Sequence, residues 1–234
     1  MNAIPRNLPK GVVYHYDLAQ GSQEWLDARR GLLTASEMSR IITPKLKVAD
    51  NGESRAHVYE IAAQRITGYV EEGFISYKMM RGHEEEVDAR DHYRQHYAPV
   101  EVCGFITNDK WGFTLGCSPD GLVGDIGMIE AKSRDARFQV ETIVKGEVPA
   151  EHLIQVQSEL LISEREWCHY LSYSGGLPMD LIPVEPIAEF QEAILAAATA
   201  FEARVAEVVE AYHAAVKARG LHPTERRAPT EIRL

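Results

Sequence analysis

Cysteine is scarce in this 234-residue chain, and what there is lacks pattern. Cys103, Cys117 and Cys168 are odd in number and never adopt a CxxC spacing. This argues against a disulfide framework and a zinc knuckle, and it fits a reducing cytoplasm. Long apolar runs are missing, as is a secretory signal near the first residues, so no membrane partner is expected. An excess of positive charge is missing too: 25 Lys and Arg stand against 35 Asp and Glu, a net charge of −10. A non-specific nucleic-acid coat is therefore disfavoured, whereas a local basic channel on an acidic body is not. The histidines form no HExxH, and His83, His92, His96, His152 and His169 read as surface or structural residues. There is no internal repeat and no low-complexity linker, and the length suits one substantial core.

What is present is concentrated in Cys117-Ser118-Pro119-Asp120-Gly121-Leu122 and, shortly after, Met128-Ile129-Glu130-Ala131-Lys132. Pro-Asp-Gly is a turn signal. Alternation over 126–132 puts Glu130 and Lys132 on one face of a strand and Ala131 on the other. Asp120, at the end of one hairpin strand, then meets Glu130 on the next. Two carboxylates at one point suit Mg²⁺ or Mn²⁺. An adjacent ammonium can hold a water or stabilise phosphorane-like charge. Asp-x9-Glu-x-Lys also fits a surface salt bridge. The Ser-Pro-Asp-Gly context favours metal-assisted phosphodiester hydrolysis, and the pattern resembles the core of the PD-(D/E)xK nuclease superfamily.

Along the chain, residues 1–20 form an arm with an extended piece at 12–16. Ser22 caps a helix over 23–30, with Trp25 and Leu26 inward, and Gly31 ends it. Thr34-Ala-Ser-Glu37 is a capping box that opens a helix to about residue 42. Helices follow over 55–67 and 77–97, with a connector over 68–76. Strands are expected at 100–107, 112–118 and 127–132. Pro149 opens a helix to residue 162, strands follow at 167–173 and 180–184, and an amphipathic helix, broken once, spans 187–219. The tail begins at His222. Helices, a strand meander, then helix and strand make an α/β fold, a mixed central sheet flanked by helices.

Other residues gain meaning from position. Gly82 and Glu86 share a helix face, where a third carboxylate would complete a two-metal site. Glu84 and Glu85 read as a solvated acidic face. Ser36 lies in the first turn of a capped helix, a seat for phosphate, and Arg29 can fork onto the same anion. Alone, that pair equally fits a local Arg–Glu pair and a routine cap. Gln155 and Gln157 lie on different helix faces, so one can touch the site while the other is core-edge or solvated.

Taken in order, Trp25-x3-Arg29-x-Gly31-x2-Thr34-Ala35-Ser36, Arg81-Gly82-x3-Glu86, Cys117-Ser-Pro-Asp-Gly-Leu, Glu130-Ala-Lys132 and Gln155-Val-Gln157 resemble the phage lambda-type recombination exonucleases, the YqaJ-like viral recombinase family, from about residue 20 to about 175. The resemblance implies a restriction-endonuclease-like core, and the chain as a whole reads as a single nuclease domain over 1–221 with a tail over 222–234. It implies a Mg²⁺-dependent, processive 5′→3′ exonuclease on linear double-stranded DNA with 5′-phosphate ends, leaving a 3′ overhang for a phage single-strand annealing protein in a bacterial host cytoplasm. It implies a homotrimer with two metal ions per site. By motif position, Asp120, Glu130, the Ala131 carbonyl and Glu86 match metal ligands, and Lys132 matches the catalytic lysine. Arg29, Ser36, Ser118 and Gln155 match the 5′-phosphate pocket, and Lys45 or Lys47 the DNA-backbone contact. Arg81 stands where the family often has an aromatic residue, and Ser133 where it often has cysteine. The alternatives are another nuclease of the superfamily, RecB-like or CRISPR-associated, or an inactive DNA-binding relative. Three scattered cysteines argue against the four-cysteine iron–sulfur type, and the intact Asp120, Glu130 and Lys132 argue against inactivity.

Overall fold

The computed structural model describes residues 9–71 and 77–226. The first eight residues of the expected arm, positions 72–76 of the connector and positions 227–234 of the tail lie outside these. Among the described residues there are eight strands, six α-helices and one 3₁₀ helix. The chain runs β1 (Val12–His15), α1 (Gln23–Arg29), β2 (Leu33–Thr34), the 3₁₀ helix (Ala35–Arg40), α2 (Gly52–Thr67) and α3 (Tyr77–His96). It continues β3 (Phe105–Asn108), β4 (Leu115–Cys117), β5 (Gly121–Val123), β6 (Gly127–Ser133), α4 (Ala136–Lys145), α5 (Ala150–Ser163), β7 (Trp167–Tyr173), β8 (Asp180–Val184) and α6 (Ala188–Arg219).

The mixed α/β class holds. The strands fall into two four-stranded mixed sheets, ordered β1-β3-β4-β2 and β5-β6-β7-β8, and Glu101 bridges to Leu122 between them. In the second sheet β5 and β6 are antiparallel, β6 and β7 parallel, β7 and β8 antiparallel. This changes the role of Pro119-Asp120-Gly121. The hairpin turn is Gly124-Asp125-Ile126, and the Pro-Asp-Gly segment instead carries the chain from one sheet to the other. The pairing of Gly121 with Ile129 still brings Asp120 opposite Glu130.

Period two along β6 sorts its side chains into two layers. Met128 joins the larger apolar core with residues of α2, α5 and α6, whereas Ile129 and Ala131 join a second core with Ala89 and Tyr93 of α3. Glu130 and Lys132 therefore point to the α5 side. Here sequence pattern and sheet geometry agree.

Other expectations are corrected. Leu26 is 37% exposed, and of the expected inward pair only Trp25 is half-buried. The capping box at Thr34 and Glu37 forms, but it opens a 3₁₀ helix of six residues. The long C-terminal helix is unbroken over 32 residues, consistent with an alanine-rich run free of glycine and proline. Three elements were not expected, β2, β5 and α4. α4 buries Gln139 and Thr142 and exposes Val140, Ile143 and Val144, so its apolar pattern faces the wrong way for a reading by periodicity.

Close approach at Gly127 locks the β6–β7 register. A Cβ there would lie 2.0 Å from the Trp167 ring, in the residue paired with Gly127. The substitution Gly127→Ala should destabilise the fold by about 1–3 kcal/mol through overpacking, read by denaturant unfolding. A wild-type midpoint would show that the ring yields freely.

Candidate active site

β6 carries the centre of the site. Glu130 is 2% exposed and Asp120 7%. Lys132 Nζ donates to Glu130 Oε1 at 2.6 Å. The Ala131 backbone N–H donates to Asp120 Oδ2 at 2.7 Å, which ties the first carboxylate to the strand of the second. Arg90 of α3 donates to the Asp120 carbonyl at 3.0 Å and steadies the crossing segment. Gln155 of α5 donates from Nε2 to Glu130 Oε1 at 2.6 Å.

A residue missed in the sequence joins this cluster. Glu159, one turn beyond Gln155, is 1% exposed, and its Oε1 accepts from Gln155 Nε2 at 2.9 Å. The signal that could have found it is a lone carboxylate on a helix whose neighbours Val156, Leu160 and Ile162 are all buried. Among the described residues, Glu130 Oε2 and Glu159 Oε2 are both buried without a hydrogen-bond partner. Orphaned acceptors of this kind call for an explanation, such as an ion.

Burial is the first cause of the site's electrostatics. It raises the Asp120 carboxyl well above the usual range, and the negative charges of Glu130 and Glu86 add to it. Glu130 is pushed up to about 8 by burial and then by Glu159, with Lys132 opposing. Glu159 is pushed up to about 7, again chiefly by burial. For Lys132, burial alone would lower the ammonium, but the charges of Glu130 and Asp120 outweigh it and raise the pKa.

Glu86 lies close enough to act on both carboxyls, with its own Oε2 3.5 Å from Nδ1 of the exposed His83. Among the described residues, and apart from its own helix backbone, nothing stands within 4 Å of where a Cβ on Gly82 would be. Glu84 is exposed, as expected, but Glu85 is not simply solvated: it is half-buried, accepts from Ser133 Oγ and faces Arg81 at 3.8 Å.

The anion-pocket residues are only partly brought together. The Arg29 guanidinium lies 4.2 Å from the Trp25 ring centroid, donates to Thr34 Oγ1 at 3.3 Å and has no carboxylate within 4.0 Å among the described residues. Burial lowers its pKa. Thr34 Oγ1 meets Ser36 Oγ at 3.3 Å and donates to Glu37 at 2.7 Å. Trp25 Nε1 donates to Ser118 Oγ at 3.1 Å and to the Gly104 carbonyl at 2.9 Å. Arg29, Ser36 and Ser118 thus form one chain of contacts through Trp25 and Thr34. Gln155 instead sits among the carboxylates. Because the helix at Ser36 is a short 3₁₀ piece, the helix-dipole argument weakens and the side chains carry any anion binding.

Gln157 lies outside the site. It is fully buried, donates to the Glu185 carbonyl and accepts from the Ile187 N–H, both at 2.8 Å, clasping the segment between β8 and α6. Lys45 and Lys47 are exposed on a tight loop closed by Thr43 N–H to the Lys47 carbonyl at 2.8 Å. His92 and His96 stack at 4.2 Å, while His152 and His169 bond to Tyr170 and Tyr93. Among the described residues no three His, Cys, Asp or Glu side chains form a ready-made metal cage.

The raised carboxyls predict a pH dependence. An unfolded glutamate releases its proton near pH 4.3, but Glu130 holds its proton to about pH 8 and Glu159 to about pH 7 in the fold. Between those limits the folded state binds more protons, so stability falls as pH rises. Metal-free protein should melt progressively lower from pH 5 to pH 8, and Glu130→Gln should flatten the decline. A midpoint that rises over this range would contradict it.

The profile of the YqaJ-like viral recombinase domain matches residues 24–166. The fold is similar to an alkaline exonuclease (LHK-Exo) from Laribacter hongkongensis at TM-score 0.74 and 29% identity, covering 86% of this chain and all of that one. The same exonuclease in complex with dAMP matches at 30% identity over the same coverage. A phage-related exonuclease from Haemophilus somnus 129PT shares the fold at TM-score 0.59 and 12% identity, covering 80% of this chain and 99% of that one. No curated protein matches the sequence. With the profile covering more than half of the chain, this protein belongs to the YqaJ-like viral recombinase family.

Proposed function

We propose that this protein is a Mg²⁺-dependent 5′→3′ exonuclease that digests one strand of linear double-stranded DNA and leaves a 3′ overhang for strand annealing. Family membership and the likeness to an alkaline exonuclease support a recombination nuclease. The observation that carries the reading further is the buried assembly of Asp120, Glu130 and Lys132 around orphaned carboxylate oxygen.

The residues fit a hard divalent cation. Every candidate ligand is an oxygen: the carboxylates of Asp120, Glu130 and Glu86 and the carbonyl of Ala131. Such donors suit Mg²⁺, with Mn²⁺ as substitute, and Glu130 Oε2 is free to accept. When bound, two such ions would neutralise phosphate charge and acidify a water. Glu130 and Asp120 raise the pKa of Lys132 against the effect of burial, so its ammonium persists at neutral pH. Held by Glu130, its ammonium positions the attacking water and stabilises the charge that develops on the phosphate. Arg29, Ser36, Ser118 and Gln155 receive the 5′-phosphate. The guanidinium of Arg29 makes no ion pair within 4.0 Å among the described residues, although the charge of Glu37 acts on it, and its fork can take an anion. Lys45 or Lys47 touches the backbone of the duplex.

The acidic body bears on assembly. A chain of net charge −10 holds duplex DNA best where the same basic loop converges from several copies. The motif resemblance supports a homotrimer, and a phage single-strand annealing protein as the recipient of the overhang.

Digestion of linear duplex labelled at either end tests the reading. The 5′ label should be released first, only with divalent metal. Asp120→Asn and Glu130→Gln should each lose at least about a hundredfold in rate while remaining folded, and Lys132→Ala should lose nearly as much. Release of the 3′ label first would overturn the polarity, and full activity of Asp120→Asn would overturn the site.

A further inference from the structure

We propose that Glu159 is a positioning residue that holds the Gln155 amide with its nitrogen toward an incoming DNA 5′-phosphate. The inference deepens the reading of Gln155 as a phosphate contact and rests on it.

Gln155 and Glu159 stand one helical turn apart on α5, so their side chains share a face. A glutamine amide can present either its oxygen or its nitrogen, and only the nitrogen donates. Here one end of the amide meets two carboxylates, Glu130 at 2.6 Å and Glu159 at 2.9 Å. With both groups ionised, only the nitrogen satisfies both. Its two protons are therefore assigned, one to each carboxylate.

Stability of the fold gives no reason for Glu159. It is 1% exposed, and its Oε2 has no partner. Carboxyls buried in this way weaken a fold relative to an apolar residue of similar size. Val156 and Leu160, its neighbours on the helix, are buried and apolar. Apart from the other carboxyls, the group it engages is the Gln155 amide.

The two amide protons are not equivalent. Glu130 Oε1 also accepts from Lys132 at 2.6 Å, so it retains a donor if Gln155 turns away. Among the described residues the only nitrogen donor to Glu159 is Gln155. The proton on Glu130 is thus the one an anion can take, and the bond to Glu159 is the anchor about which the amide turns. Without the anchor, the amide is free to present its carbonyl oxygen, which repels a phosphate.

The test measures binding of 5′-phosphorylated and 5′-hydroxyl duplex by fluorescence anisotropy, with Ca²⁺ replacing Mg²⁺. Wild type should prefer the phosphorylated end by roughly tenfold or more, the scale of a hydrogen bond to a charged group. Glu159→Leu removes the acceptor and should cut that preference as far as Gln155→Leu does. The double variant should fall no further, because the two act as one unit. Glu159→Gln keeps a carbonyl acceptor for Gln155 and should retain most of the preference. Glu159→Ala removes the acceptor without adding bulk and should behave like Glu159→Leu. An unchanged preference in the Leu and Ala variants would overturn the proposal, as would a loss that adds to that of Gln155→Leu. Absence of any preference in the wild type would overturn the phosphate reading of Gln155 itself, and the role of Glu159 with it.

Discussion

The constraint on which the site depends is the burial of negative charge on β6. Glu130 and Asp120 are both nearly inaccessible to water, Glu159 is buried beside them, and Lys132 is the cation bonded to Glu130. Like charges brought together in a low-dielectric interior repel strongly, and removing them from water is unfavourable for each. A fold selected for stability alone would place apolar residues here. Burial first, and then the uncompensated charge of three carboxyls against one ammonium, makes the carboxyls hold protons to unusually high pH. An arrangement of this kind is suited to accept further positive charge. The free Glu130 and Glu159 oxygens show where that charge would find acceptors.

The rest of the fold supplies position. Register between β5 and β6 brings Asp120 opposite Glu130. The alternation of β6 sends Glu130 and Lys132 to the α5 side, where Gln155 and Glu159 meet them, and sends Ile129 and Ala131 into the core built with α3. α3 holds the carbonyl of Asp120 through Arg90 and brings the charge of Glu86 to bear on the site. Beside the neighbouring sheet, the chain packs closely at Gly104. A Cβ there would lie 1.8 Å from the Leu18 carbonyl oxygen, and the Gly104 carbonyl accepts from both Trp25 and Ser118. Ser118 and Asp120 are two residues apart, so the Trp25–Ser118 contacts and the carboxylates are joined through one short stretch of chain.

Much of this was legible in the sequence where local chemistry and tertiary packing agree. β7 and β8 have the expected bounds, and β6 is only one residue longer than expected. Their alternation is real because each face meets a different core. Ser22 caps α1 as expected. The pairing of Asp120 with Glu130 was anticipated, but through the wrong turn: Pro-Asp-Gly resembles a hairpin tip, and sequence alone does not distinguish it from a passage between two sheets. α4 was not legible because it buries polar Gln139, which donates to the Ser172 and Pro178 carbonyls, and leaves its valines outside. Glu159 was missed because one glutamate in a helix is ordinarily solvated. Only its apolar neighbours, and the strand opposite, make it a buried charge.

Direct titration with Mn²⁺, followed by water-proton relaxation, tests the central claim that this buried negative charge is a cation site. The account predicts saturable binding by wild-type protein, greatly weakened in Asp120→Asn and Glu130→Gln and unaffected by Gln157→Leu, which lies outside the site. Binding of equal strength in wild type and both carboxamide variants would contradict it.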